Sequence, residues 1–174
     1  MVKYLVMESP VGPLTLVAGA NGLESILFGY REPEGGRRDF GANAAVVTQL
    51  NEYFSGNRVV FDLRLAPQGT SFQRLVWEQL LQIPSGETRS YGDIARALGK
   101  PGAARAIGMA NNQNPIPIVI PCHRVIGANG ALTGYAGGLG VKARLLALEG
   151  ALLTKERAAT SHPRGGLTYP RVAL

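Results

Sequence analysis

The sequence predicts an α+β fold: a small antiparallel-sheet N-terminal domain, then a mostly helical C-terminal domain with a (winged) helix-turn-helix. Three observations predict it. Turn-punctuated apolar alternation fills residues 1–30, a capped amphipathic helix signal opens at residue 70, and two short helix signals flank a glycine near residue 99.

"KYLVMESPVGPLTLVAGANGLESILFGY" alternates apolar residues with turn signals at Pro10-Val11-Gly12-Pro13 and Ala20-Asn21-Gly22, as a short antiparallel meander does. "REPEGGRRD" reads as a charged loop. "ANAAVVTQLNEYFSGN" then places Val46, Val47, Leu50, Tyr53 and Phe54 at helical spacing and stops near Gly56. "RVVFDLRL" sets Val60, Asp62 and Arg64 against Val59, Phe61, Leu63 and Leu65, the pattern of a half-buried strand. "APQG", residues 66–69, is the expected boundary, giving units over 1–68 and 69–152 and a tail over 153–174 without periodicity.

The second unit opens on "TSFQRLVWEQLLQI", where Thr70 and Gln73 form a capping box and Phe72, Leu75, Val76, Leu80 and Ile83 form the apolar stripe. In "SYGDIARALGKPGAARAIGMANN", Ser90 and Asp93 cap a short helix with Ile94, Ala95 and Leu98 inward. Gly99 ends it, Pro101 suits the first turn of the next, and Ala103, Ala104 and Ile107 face back. The alanines let the two helices approach closely and leave Arg105 outside, which favours nucleic-acid contact over plain packing. "IVI", between prolines at 117 and 121, reads as an edge or isolated strand leading to a turn at Cys122. Gly127, Gly130, Gly134, Gly137 and Gly138 crowd the loop beyond it. "GVKARLLALEG" closes the domain as a helix with Leu145, Leu146 and Leu148 apolar and Glu149 at its end.

The formal charge is +6, and its distribution is uneven. Residues 1–60 set Lys3, Arg31, Arg37, Arg38 and Arg58 against six acids. Residues 88–148 hold Arg89, Arg96, Lys100, Arg105, Arg124, Lys142 and Arg144 against Asp93 alone, an asymmetry that points to a polyanionic partner. No apolar run approaches the roughly 18 residues that span a bilayer, and no basic-plus-apolar leader opens the chain, so a cytoplasmic protein without a membrane partner is expected. A single cysteine forms no internal disulfide, and with only His123 and His162 beside it no metal site is expected.

That cysteine, Cys122, stands directly before His123 and Arg124, the residue types that favour a thiolate. Neighbouring residues of a strand point to opposite faces, so the pair cooperates only if the chain turns at Pro121-Cys122. An acid must orient the imidazole, and Glu78, Glu87, Asp93, Glu149 and Glu156 all remain open on spacing alone.

"PCHRV" at 121–125, preceded by "RAIGMANNQNP" at 105–115 and followed by "GALTGYAGG" at 130–138, resembles the signature of the methylated-DNA-protein-cysteine methyltransferases, the alkylguanine-DNA alkyltransferases. The match runs from about Thr70 to Gly150; the first half resembles the family's variable domain loosely, through its meander and "LNEYFSG". The resemblance implies a single-use alkyl acceptor at Cys122, a base at His123 acting through a water, and Glu149 holding the imidazole. It makes Asn114 a hinge before the cysteine. Tyr91 would help rotate the target nucleotide and bond its base, while Arg105 fills the vacated space and Ala104 and Gly108 lie along the DNA. The carbonyls of Cys122 and Val125 would accept from guanine's exocyclic amine, and the backbone at Tyr135 and Ala136 would face the modified oxygen.

The implied substrate is 6-O-alkylguanine in double-stranded DNA, with 4-O-alkylthymine as a further one, and the protein would act as a monomer without cofactors. The competing reading is a non-enzymatic lesion-binding protein, against which Cys122 itself speaks. A multiple-turnover cysteine hydrolase is disfavoured by the adjacent Cys-His and the helix-turn-helix. Two departures from the family stand out. No cysteine remains for the zinc that some relatives bind, and Ala136 takes the place of a serine found in some members.

Overall fold

The structure, a computed structural model, describes residues 1–151. The expected tail over 153–174 lies outside the described residues, as does the last residue of the expected second unit.

The meander forms as its turns require. β1 (Lys3–Met7), β2 (Leu14–Gly19) and β3 (Gly22–Phe28) pair antiparallel. A two-residue strand inside the expected charged loop, β4 (Arg37–Arg38), adds in parallel to β1, so the sheet order is β3-β2-β1-β4. Being central, β2 is buried from Leu14 through Ala18 on both faces. Helix α1 (Phe40–Phe54) is capped by the Asp39 carboxylate on Ala42 N–H and buries Val46, Leu50 and Tyr53.

The strand expected over 58–65 does not form. Its alternation is real at Phe61 and Leu65, which are buried, but the α1 side chain of Gln49 takes the place of a neighbouring strand: Nε2 donates to Asp62 O and Oε1 accepts from Asp62 N–H, each at 2.8 Å. Only Leu65 bridges a strand residue, Leu23, while Val59 and Val60 are exposed.

Helix α2 (Ser71–Leu81) starts on the expected capping box, Gln73 N–H to Thr70 Oγ1 and Thr70 N–H to Gln73 Oε1. Leu75, expected inward, is exposed; Trp77 is buried instead and its Nε1 donates to Ala110 O at 2.9 Å, locking α2 onto the second helix of the pair. A short parallel pair joins β5 (Arg89–Ser90) to β6 (Val125–Ile126), linking the start of the helix-turn-helix to the residues after Cys122. α3 (Tyr91–Ala97) begins on the Ser90–Asp93 box, and Gly99 turns the chain with φ +68°. α4 (Ala104–Asn112) has no side-chain cap, and Pro101 lies in the turn before it rather than in its first turn. α5 (Leu139–Leu148) buries Leu145 and Leu146, but Leu148 is exposed and Lys142 takes a place on the inner face.

The apolar core is continuous, running from Leu16 and Leu50 through Trp77 to Ile107 and Leu145. Ile26 N–H donates to Pro115 O at 2.9 Å, so a strand of the first unit touches the segment that leads to Cys122. Among the described residues no helix is long and apolar enough to cross a membrane.

The segment after α1 reaches β3 through Gly22, whose φ is +132° and where a Cβ would overlap the Arg64 carbonyl. Leu23 N–H donates to that carbonyl at 2.9 Å, and Ala66 N–H returns to Leu23 O at 2.8 Å. Gly22→Ala should therefore lower stability by about 2 kcal/mol or more, read from urea unfolding midpoints.

Candidate active site

The approach to Cys122 is not a strand. Proline removes donors at 115, 117 and 121, and the backbone groups left over are taken up locally. Asn114 Oδ1 accepts from Ile116 N–H at 3.0 Å and its Nδ2 donates to Ile120 O at 2.8 Å, while Ile120 N–H donates to Ile116 O. One side-chain amide thus closes the turn, and it holds Ile118 at φ +74°, an unusual angle for a β-branched residue. Ile116, Ile118, Val119 and Ile120 are all buried, so the loop is packed into the core. A short 3-10 helix over Cys122–Arg124 follows, and it turns Cys122 and His123 out of the opposed directions that a strand would impose.

Cys122 is 5% exposed and His123 fully buried. The imidazole Nε2 donates to Glu149 Oε1 at 2.7 Å, so Nδ1 carries the lone pair, and Nδ1 is buried with no hydrogen-bond partner among the described protein groups. Of the acids open on spacing, Glu149 is the one placed on the histidine. It stands at the C-cap of α5 and receives three other hydrogen bonds: Arg124 Nε to Oε2 at 2.9 Å, Arg124 Nη2 to Oε1 at 2.8 Å, and Tyr53 OH to Oε1 at 2.8 Å. Arg124 Nη1 also donates to Ile83 O at 2.7 Å, beyond the end of α2. The guanidinium expected beside the thiolate is therefore committed to Glu149.

Burial works to raise the Glu149 carboxyl, but the hydrogen bonds and charges of His123 and Arg124 outweigh it and bring the value down to about 2. Burial keeps His123 below its ordinary value, against the upward pull of Glu149 and with Arg124 and Lys142 adding to the descent. The resting pair is a carboxylate and a neutral imidazole, with Arg124 as the counter-ion. Burial pushes the Cys122 thiol up to about 11, opposed by Asn114, by the Lys142 charge and by the amides of residues 122 and 123. The resting sulfur is a protonated thiol.

Lys142 falls three and four residues before Leu145 and Leu146, which puts it on the buried face of α5. Its Nζ donates to Val125 O at 2.6 Å and to Thr133 O at 2.8 Å, tying the glycine-rich loop to the residues after Cys122. Burial lowers the ammonium to about 8, which the Cys122 sulfur resists. The loop is braced from the first unit as well: the Phe28 ring meets Tyr135 edge-on at 5.7 Å, and a Cβ on Gly137 would come within 2.9 Å of that ring. Tyr135 is half-buried with its hydroxyl buried, whereas Ala136 is exposed.

Of the other residues singled out in the sequence, Tyr91 opens α3, reaches Thr133 Oγ1 with its hydroxyl at 2.8 Å, and lies against Gly108 of α4. Arg105 is exposed near the start of α4, and Ala104 is half-buried there. The carbonyls of Cys122 and Val125, expected open to a base, are already engaged: Cys122 O accepts from Val125 N–H and, at 3.4 Å, from Asn111 Nδ2, and Val125 O accepts from Lys142 Nζ. Sequence reasoning missed Tyr53 and Phe28 as contributors from the first unit, and it assigned Lys142 no role beyond charge. The spacing of Lys142 against Leu145 and Leu146 was a readable signal; the partners of Tyr53 and Phe28 had none.

A buried thiol beside a histidine-glutamate pair, under an exposed helix-turn-helix, defines a class: a DNA-directed protein with a cysteine nucleophile. Residues 2–67 match the family description "6-O-methylguanine DNA methyltransferase, ribonuclease-like domain", and residues 71–151 match "6-O-methylguanine DNA methyltransferase, DNA binding domain". The chain is 51% identical over 153 residues to a methylated-DNA–protein-cysteine methyltransferase of Mycobacterium tuberculosis, covering 86% of this chain and 93% of the relative. It is 50% identical over 154 residues to one of Methanosarcina acetivorans, covering 84% and 97%. The crystal structure of Mycobacterium tuberculosis O6-methylguanine methyltransferase superposes with a TM-score of 0.81 over 86% of this chain and 93% of that one, at 51% identity. That of Mycobacterium tuberculosis OGT in complex with DNA gives 0.80, at 51% identity and 85% and 92% coverage. The chain belongs to the methylated-DNA–protein-cysteine methyltransferase family.

Because the Glu149 carboxyl titrates below its ordinary 4.5, its interactions stabilise the fold above that value and are lost as pH falls from 4.5 through about 2. Glu149→Gln leaves Arg124 buried without a counter-charge. It should cost about 2 to 4 kcal/mol at neutral pH and flatten the fall in stability below pH 4.5, as followed by thermal unfolding across pH.

Proposed function

We infer that the protein repairs DNA directly, by moving an alkyl group from the 6-oxygen of guanine in duplex DNA onto Cys122. The observation that carries this is a lone buried cysteine directly before a buried His123 whose Nε2 is held by Glu149, leaving Nδ1 without a partner among the described residues. An alkyl group at that oxygen lies inside the base stack, so the nucleotide must leave the duplex, at a cost of a few kcal/mol. The exposed face of α4 with Arg105, and Tyr91 beside it, are suited to offset that cost through phosphate contacts and by filling the gap.

At the site, the thiol proton passes to His123 Nδ1, directly or through a water, and the imidazolium is stabilised by Glu149. Sulfur attacks the alkyl carbon in line, so that the carbon–sulfur bond forms as the carbon–oxygen bond breaks, and the departing guanine anion takes up the proton that His123 held, returning the imidazole to neutral. Lys142 holds positive charge near the sulfur as it ionises. The backbone N–H groups at Tyr135 and Ala136 would donate to the leaving oxygen, and the Cys122 and Val125 carbonyls would accept from guanine's amine, Cys122 O exchanging its long bond from Asn111 to do so. With no serine hydroxyl at 136, the main-chain N–H groups carry that donation. The thioether has no hydrolytic route back, so one chain repairs one lesion, as a monomer and without a cofactor. Oxygen-alkylated thymine fits the same chemistry. A cytoplasmic location is in keeping with a single unpaired thiol and a DNA substrate.

The test is intact mass. After incubation with duplex DNA containing 6-O-methylguanine, each chain should gain the mass of one CH2 and Cys122→Ser should gain none. Binding to that duplex with no change in mass would instead favour a lesion-binding protein. Single-turnover rates should hold level through neutrality and fall only where His123 becomes protonated, below the ordinary histidine value, since burial keeps the imidazole neutral. A rate that climbs tenfold per pH unit between 6 and 8 would mean that the proton is lost to bulk solvent rather than to His123, by roughly the proportionality expected for specific base.

A further inference from the structure

From α1 of the first unit, we propose that Tyr53 is a positioning residue for the transfer, its hydroxyl holding the Glu149 carboxylate so that Oε1 meets the imidazole of His123. Glu149 follows the last turn of α5, and nothing in its own helix fixes the rotation of its side chain. Arg124 supplies two of the bonds that do and is itself tied to Ile83 O, but it belongs to the same short helix as His123. Tyr53 is the donor to Glu149 that comes from a different part of the chain than the histidine. Its OH lies 2.8 Å from Oε1, the same oxygen that takes His123 Nε2 at 2.7 Å.

The ring is itself held. Tyr53 is 3% exposed and packs at 5.3 Å between ring centroids against both Phe54 and Phe61. A buried tyrosine hydroxyl needs a partner, but a backbone carbonyl would satisfy it equally well. Donation to the one oxygen shared with the catalytic histidine is what gives it a consequence. A hydrogen bond to a carboxylate spreads its charge and lowers its basicity, so Tyr53 limits how strongly Glu149 favours the imidazolium. The charged and titratable groups around His123 are Glu149 and Lys142 from the α5 side, Arg124 and Cys122 from its own turn, Tyr135 from the glycine-rich loop, and Tyr53 from α1. Of these, Tyr53 alters the pair without carrying charge.

The effect on rate rests on the alkyl-transfer reading above; the effect on the histidine does not. In Tyr53→Phe, the His123 ring nitrogens, followed by nitrogen-15 NMR across pH, should titrate about half a unit or more higher than in the wild type. Because the carboxylate that orients the imidazole is no longer held, single-turnover methyl transfer should slow about 3- to 10-fold at neutral pH despite the more basic ring, with its acid limb moving up in step. Site-specific 3-fluorotyrosine at 53, a stronger donor of nearly the same shape, should move the titration the other way, and it preserves the packing should the phenylalanine variant fold poorly. Titration curves that coincide in all three proteins would overturn the proposal, whatever the rates. Should the wild type gain no methyl mass, the alkyl-transfer reading fails while the titration still decides the role of Tyr53.

Discussion

One carboxylate holds the site together. Glu149 receives hydrogen bonds from His123, twice from Arg124, and from Tyr53, and through Arg124 it reaches Ile83 beyond α2. Four parts of the chain distant in sequence are fixed relative to one another at that point. Burying a carboxylate and a guanidinium costs several kcal/mol of hydration, which geometry this complete offsets, and removing either partner leaves the other uncompensated. The gain is orientation. With Nε2 bound to Glu149, the histidine presents its basic nitrogen, Nδ1, on the other side of the ring.

The nucleophile is prepared differently. Cys122 is kept neutral by burial, so a thiol that is destroyed by a single use is not spent on small electrophiles from solution. The groups that favour its ionisation are nonetheless in place: the Asn114 amide, the Lys142 ammonium and two backbone amides. Asn114 serves twice, since the same side chain closes the turn that carries the cysteine out of α4. The second helix of the helix-turn-helix, α4, is thereby joined to Cys122 by a loop of buried isoleucines, which fixes where the sulfur sits relative to that helix.

The elements that were legible in the sequence carry their signal locally. Both capping boxes, the meander with its turns, and the glycine between α3 and α4 are fixed by residues within four positions of one another. Both strands that failed to form, over 58–65 and at Ile118-Val119-Ile120, failed for the same reason. Alternation or β-branching reveals an extended, half-buried chain, but a distant side-chain amide, Gln49 in one case and Asn114 in the other, satisfies its backbone where a neighbouring strand would. The site shows the same limit. Adjacent Cys122 and His123 were visible, whereas the choice of Glu149 among five acids needed the fold or a family resemblance. Arg124 looked like a partner for the thiol because adjacency says nothing about which way a guanidinium turns. Tyr53 fitted an apolar stripe, and the stripe gives no hint of what its hydroxyl touches.

The fold holds the acceptor as a neutral thiol until a base arrives. Since Cys122 is the only cysteine, labelling with carbon-13 at Cβ gives one resonance that reports its ionisation without assignment. In the free protein it should remain at the thiol position through pH 9 and move only as pH approaches about 11. A titration centred well below the ordinary thiol value of 9 would show a thiolate held ready in advance, and would contradict the account.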